Sequence, residues 1–504
     1  MKKARVFASF LMAMLLLTSC TKTTTDETTA TDYSVESTTT EAVPVETEKA
    51  SEFSIEALKE LDGVISVEEI EFKSEVPDMT KTDDHIILMV FEQPLDWNDP
   101  SKGTFNQRVE VCYSEKNRNN SLKIGGYNLN NDAIAMGSYS DIYTMKNEMN
   151  LISIEYRFFG ESAPEGLSIN DTAYWEYLTS YNAACDFHHV ITELKKVLPG
   201  TWLMSGGSKG GVATMAQSIY FPEDADIFMA MVAPVMESPE TDGFIENIYE
   251  TIGNDAYGEE EAAEYRQLVL DFQIEAIKLR DQLQDRVYEQ SLKEGNSFTE
   301  FATPEIVYDN RVMSFAIGVW QYEQNFNSIE GVLECKDEED YPDLVYELLI
   351  GIKDPEQEKT TEAPDLSPYW IQCITELGYF KADFSYLRDA LEKDGSGAKL
   401  AVTEEMEDMF YYKMILEPDM IDAFTFDSSF RNDLIDWTKN TSSNIILIYG
   451  GTDVWYPLRL PDVEDRDNFH IFVASSDPHT ASIYKLDIQD QKDAQALINE
   501  AMGN

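Results

Sequence analysis

Between Thr201 and Ala213 the chain runs from a short apolar stretch through Gly206-Gly-Ser-Lys-Gly-Gly211 into helix-forming sequence. Few arrangements accept that order. A strand that turns straight into a helix needs a strained backbone at the turn, and side chains beside it would collide with neighbouring backbone. Gly206, Ser208 and Gly210 have the G-x-S-x-G spacing of a nucleophile elbow, which lifts a serine hydroxyl above a sheet. The new helix aims its N-terminus at that hydroxyl and favours negative charge developing there. A phosphate loop does not fit, because its spacing and its Lys-Ser/Thr ending are missing. Glycine-rich turns also occur without chemistry, so the rest of a catalytic set has to be found.

A serine hydroxyl is a poor nucleophile at neutral pH and needs an adjacent base. In α/β-hydrolases the acid and then the base follow the serine along the chain. The chain has five histidines, and His85, His188 and His189 precede Ser208. His470 lies inside an apolar stretch that reads as a strand, whereas His479 follows it in a loop, where catalytic groups gather in open α/β sheets. His479 is therefore the expected base. Asp453 lies in the loop after the preceding strand, where a carboxylate orients an imidazole. Asp462 is further from the strand end, and Asp477 is very near His479 in sequence. The oxyanion hole is expected from the main-chain N–H of Lys209 and of Tyr127, within Gly125-Gly-Tyr-Asn128. His188-His189 lacks metal-binding H-E-x-x-H spacing, and neither a metal nor a cofactor is expected.

Strand signals fall at residues 85–91, 108–113, 122–125, 151–156, 227–232, 444–449 and 468–473, besides the one before Ser208. The first two suggest a hairpin. The others alternate with helical periodicity at 174–198 and after Ser208, which is the pattern of an α/β sheet. Residues 238–437 carry mostly helix signals, at 259–293, 300–326, 341–352 and 384–392. Sheet-like sequence resumes after them, so they read as a helical insertion. The expected division is thus 53–237 and 438–504 for the sheet domain and 238–437 for a cap, with a last helix over 488–502.

The ends of the chain set its expected location. A basic start, an apolar run over 7–17 and Leu17-Thr-Ser-Cys20 resemble a bacterial lipoprotein signal, with Cys20 lipidated. The apolar run is short for a membrane span. Residues 21–52 are rich in Thr, Glu and Ser and too poor in apolar groups to fold. The expectation is a disordered tether holding the body outside the cytoplasm, at the cell envelope, with the membrane touched only through the lipid. The formal net charge is −56, from 94 acidic and 38 basic residues. Nucleic acid is not expected as a partner, since phosphate-binding faces need clustered Lys and Arg. Cys112, Cys185, Cys335 and Cys373 match no zinc spacing. Cys335 and Cys373 are near enough in sequence that a disulfide is open, while Cys112 and Cys185 read as buried thiols.

Glu155-Tyr-Arg-Phe-Phe-Gly-Glu-Ser-Ala-Pro164, Ala183-Ala-Cys-Asp-Phe-His188, the Gly206–Gly211 run, Val232-Ala-Pro234, residues 369–379 and Gly450-Gly-Thr-Asp-Val-Trp-Tyr-Pro457 together resemble the secreted bacterial prolyl tripeptidyl aminopeptidases. More distantly they resemble lysosomal prolyl carboxypeptidase and dipeptidyl peptidases. The resemblance implies an α/β-hydrolase fold with a helical cap. It implies cleavage after proline in short peptides with a free N-terminus. It carries Ser208, Asp453 and His479 over as the triad. It also asks for carboxylates that hold a substrate ammonium group. Glu155 and Glu376 are candidates, and structural pairing, for Glu155 with Arg157 or another base, is the competing reading. Trp455 is a candidate wall of a proline pocket, against a packing role. The approach to His479, Ser475-Ser-Asp-Pro478, lacks the glycines the family pattern leads one to expect.

Overall fold

The computed structural model describes residues 53–70, 85–114, 119–129, 149–167, 172–294, 296–352, 367–460, 463–464 and 466–503. The expected signal, Cys20 and the tether lie outside the described residues, as does Asp462. Among the described residues, no helix is long and apolar enough to cross a membrane.

Nine strands form one sheet: β1 (Val64–Ile70), β2 (His85–Pro94), β3 (Thr104–Tyr113), β4 (Asn119–Ile124), β5 (Met149–Ile154), β6 (Trp202–Gly207), β7 (Ile227–Met231), β8 (Ile445–Gly450) and β9 (Phe469–Ala474). Their order is β1-β2-β3-β5-β4-β6-β7-β8-β9. β1, β2, β3 and β5 pair antiparallel in succession, and every pairing from β5 through β4 to β9 is parallel. This is the α/β-hydrolase arrangement, with one extra strand at the hairpin edge.

The parallel strands β7 and β8 are almost wholly apolar, as suits strands covered on both faces, whereas β4 carries several polar residues. All six residues of β5 and of β8 are buried. Alternate residues serve different cores. Met204, Phe228, Ala230 and Leu447 join the large core on one face, which continues into the cap. Leu203, Ile227, Met229, Ile446 and Ile448 face a smaller core closed by Ile483, Ala494 and Ile498. The large-core face carries α1 (Ser180–Leu194) and α2 (Lys209–Tyr220), and the smaller one carries the last helix, Ile488–Ala501.

Among the described residues, the segment between β7 and β8 adds no strand to the sheet, as expected of a helical insertion. The periodicity at 259–293 divides at Leu279 into α3 (Glu259–Lys278) and α4 (Arg280–Lys293). The Tyr308 hydroxyl donates to Ala276 O at 2.8 Å there, and Arg280 pairs with Asp309 at 3.0 Å, so tertiary partners complete the break. The boundary expected at 437 needs correction. It falls inside α5 (Ser429–Asn440), whose Trp437 Nε1 donates to Ser218 Oγ of α2 and whose ring lies 5.4 Å from that of Phe469 in β9. That helix covers the sheet and is not part of the cap. The edge strand β1 carries no usable sequence signal, since every one of its residues is only partly buried or exposed. None of the four described cysteines is in a disulfide, so Cys335 and Cys373 are not bridged, and Cys112 is only half-buried.

Candidate active site

β6 ends at Gly207, and Ser208 takes φ 65° and ψ −129°, a conformation that non-glycine residues rarely adopt. The surroundings hold it there. Ser208 N donates to Met231 O at the end of β7, at 2.7 Å. A Cβ on Gly206 would stand 2.1 Å from Gly210 O, and one on Gly210 would stand 1.9 Å from Ile124 O. Neither position accepts a side chain, because the opposing atoms are backbone.

Asp453 sits in the turn after β8, and His479 follows β9. Asp453 Oδ2 meets His479 Nδ1 at 2.7 Å, and Asp453 Oδ1 accepts from Trp455 N at 3.0 Å. His479 Nε2 is in hydrogen-bond contact with Ser208 Oγ. An ionised Asp453 only accepts, which assigns the proton of a neutral imidazole to Nδ1 and leaves Nε2 to take the serine proton. All three side chains are buried. The expected trio is thus brought together in one hydrogen-bonded chain, able to activate a serine. Asp477 is occupied by Lys485 at 2.5 Å instead.

The missing glycines before His479 stand in the opposite loop. A Cβ on Gly450 would lie 2.3 Å from Pro478 O, and one on Gly451 would lie 2.5 Å from Ser475 O. The acid loop gives up its side chains so that the base loop can pass.

The Gly125–Tyr127 loop after β4 lies against the start of α2. Gly126 has φ 82°, and a Cβ on it would stand 2.8 Å from Gly210 N. Lys209 is the first residue of α2, where main-chain N–H groups have no intrahelical acceptor. The two residues expected to form an oxyanion hole are therefore adjacent beside Ser208.

The three candidate substrate residues are engaged elsewhere. Glu155 is fully buried, accepts from Leu129 N and Ser162 Oγ, each at 2.7 Å, and pairs with Arg108 at 3.4 Å. Its base is Arg108, because Arg157 pairs with Asp186 at 2.7 Å. Glu376 receives Ser180 N at 2.9 and 3.0 Å, so it caps the N-terminal turn of α1 across the junction of cap and sheet domain. Trp455 is 1% exposed and packed against Phe244, with ring centroids 4.6 Å apart, and 6.2 Å from His479. Its packing role prevails, together with the N–H it gives to Asp453.

Burial pushes the Glu376 carboxyl up to about 7, against hydrogen bonds that favour its charged form. A folded-state value above the unfolded one means the native protein holds this proton more tightly. That stabilisation is complete below about 4.5 and is lost as pH rises through about 7. Glu376→Gln is expected to flatten this part of the profile. Between pH 5 and 8 the parent should lose up to about 3 kcal/mol more unfolding free energy than the variant. Urea titrations at both pH values check this, and equal losses would reject it.

One contributor carries no signal in the amino-acid sequence. The cap helix Pro304–Gly318 runs into a wide π turn, Val319–Glu323, and Gln324 follows in the left-handed region. Gln321 O accepts from His479 N at 3.2 Å, and Gln324 Nε2 donates to Thr452 Oγ1 at 2.7 Å. Tyr257 OH donates in turn to Gln324 Oε1 at 2.7 Å. One cap turn thus braces both the base loop and the acid loop. No glycine or proline marks the stretch, so nothing in its composition announces it.

Among the described residues, no group of three or more His, Cys, Asp and Glu side chains is placed to hold a metal ion. The profile of the family described as PS-10 peptidase S37 matches residues 56–503. A prolyl tri/tetrapeptidyl aminopeptidase from Streptomyces mobaraensis is 25% identical over 416 residues, which is 82% of this chain and 79% of that one. The human lysosomal Pro-X carboxypeptidase is 29% identical over 164 residues, 30% of this chain and 32% of its own. Among solved structures, an alpha/beta hydrolase from Penicillium sp. sh18 aligns over 83% of this chain and 99% of its own, at 11% identity and a TM-score of 0.34.

Proposed function

The chain belongs to the PS-10 peptidase S37 family of serine peptidases, and from that premise we propose that it is an exopeptidase releasing short N-terminal peptides, tripeptides foremost, by cutting after proline. The observation that carries this reading is the buried Ser208–His479–Asp453 chain, closed on one side by the cap turn that grips both loops. The relative with the broad match, the Streptomyces tri/tetrapeptidyl aminopeptidase, supports the specificity.

In this mechanism Ser208 Oγ attacks the carbonyl carbon of the proline residue and passes its proton to His479 Nε2. Asp453 holds the imidazole and stabilises it while charged. The carbonyl oxygen becomes an oxyanion and receives the N–H groups of Lys209 and Tyr127. The C–N bond then breaks as His479 returns the proton to the leaving amine, leaving an acyl ester on Ser208. Water, deprotonated by His479, cleaves that ester and restores the serine. A cap over such a site admits chain ends and excludes folded proteins.

Exposing the full-length protein to a fluorophosphonate probe and to proline-containing peptide amides, free and N-acetylated, tests the proposal. The parent should be labelled at Ser208 and should cut free peptides after proline faster than their acetylated forms. An unlabelled parent would overturn the serine chemistry. Equal cleavage of acetylated peptides would overturn the aminopeptidase reading, and turnover of short acyl esters alone would replace it with an esterase.

A further inference from the structure

The buried lysine beside the nucleophile is unexplained by the reaction so far. The Lys209 side chain is fully enclosed. Its Nζ donates to Gly126 O at 2.7 Å and lies 3.2 Å from the ring centroid of Tyr156, 4.7 Å from that of Phe159 and 5.4 Å from that of Tyr127. Burial pushes the ammonium well below the usual lysine range, with Cys373 and Glu376 pulling the other way. Taking a lysine out of water is costly, and three aromatic faces recover only part of that cost. A methionine would fill the same cage with no charge to desolvate.

The carbonyl that Lys209 grips belongs to a peptide unit already assigned a task. Gly126 O and Tyr127 N are two ends of one planar trans amide, so they point in opposite directions. Fixing the oxygen fixes the direction of the N–H. A donor on the oxygen also draws electron density from the amide and makes its N–H a stronger donor, as in hydrogen-bonded chains generally. We infer that the Lys209 side chain is a positioning residue for the oxyanion hole, holding and polarising the Gly126–Tyr127 peptide so that the Tyr127 N–H meets the developing oxyanion. Lys209 would then serve the hole twice, directly through its main chain and at one remove through its amine. This inference rests on the serine mechanism proposed above. Gly126 fits the assignment: its φ of 82° lets the carbonyl turn toward the lysine, and its missing Cβ lets the loop sit on the start of α2.

The test compares the full-length parent with Lys209→Met and Lys209→Gln in three readouts: kcat and KM on a cleaved proline peptide, the rate of fluorophosphonate labelling, and affinity for a proline boronic acid, whose tetrahedral adduct places an oxygen in the hole. Lys209→Met is expected to lower kcat, labelling rate and boronate affinity together, each by about a hundredfold, the scale of losing one oxyanion donor. KM should stay within about twofold, because the ground-state carbonyl makes little use of the hole. Lys209→Gln keeps a neutral N–H and should lose only about tenfold. A folded Lys209→Met with kcat and labelling near those of the parent would overturn the inference while leaving the serine mechanism intact. A rise in KM alone would overturn it too. Should Lys209→Met not fold, Lys209→Gln decides: an unchanged labelling rate overturns the inference, and a loss shared by labelling and boronate affinity supports it. A parent that neither labels nor cleaves overturns the mechanism and this inference with it.

Discussion

Replacing Ser208 by Ala, or His479 by Ala, is expected to lower kcat by about a millionfold, and replacing both to cost no more than either alone. The reason is that the two act as a unit. The serine is inert without a base, and the base has nothing to deprotonate without the serine. Both side chains are buried in mutual contact, so neither has a nearby substitute. The other described histidines are committed elsewhere, as with His188 on Asp224 and His189 on Gln93. What remains should be the share owed to substrate binding and the oxyanion hole, roughly a thousandfold or more over water. Single-turnover kinetics on the three variants check this. Losses that multiply in the double variant would show that the pair does not work together.

Asp453→Asn is expected to lower kcat by about ten-thousandfold with little change in fold or KM. The carboxylate accepts from His479 Nδ1 on one oxygen and from Trp455 N on the other. An asparagine oxygen can keep only one of these. If it stays with Trp455 N, the amide NH2 faces the imidazole and demands an acceptor at Nδ1. The ring proton then moves to Nε2, and the nitrogen facing Ser208 becomes a donor that cannot take a proton. Fluorophosphonate labelling should slow by a comparable factor. A variant that labels at the parent's rate would mean that Asp453 does not set the tautomer and that another group does.

Much of this site was legible in the sequence because its constraints are local or ordinal. The elbow announces itself through Gly206 and Gly210, where backbone atoms leave no room for a Cβ. Asp453 and His479 follow from chain order and from lying just past apolar strands. The contributions that escaped notice depend on contacts between distant segments. Glu376 is open in the sequence to either an ammonium-binding or a structural role, and its structural partner, Ser180, lies 196 residues away. Glu155 had an attractive neighbour in Arg157, but Asp186 takes that arginine across 29 residues. Gln321 and Gln324 are polar residues at the end of an apolar helix, and no composition rule tells a brace from a solvated turn. The glycines that the family pattern leads one to expect before His479 are absent there because the clearance between two loops can be provided from either side, and Gly450 and Gly451 provide it here. Lys209 was visible throughout, but the worth of its side chain lies in a carbonyl 83 positions earlier.

The separation between Ser208 and His479 has a consequence for how such a molecule comes into being. The two partners are 271 residues apart along the chain, and the acid and base loops come after the whole helical insertion. At the usual 5–20 residues per second, a ribosome needs roughly 15 to 55 s to travel from one to the other. Throughout that interval the nascent polypeptide carries a serine with no base beside it. The cap turn that braces His479 is made before the histidine itself, so the docking point precedes the part that docks. Nucleophile and base can therefore meet only after the insertion and both of the later loops have been made.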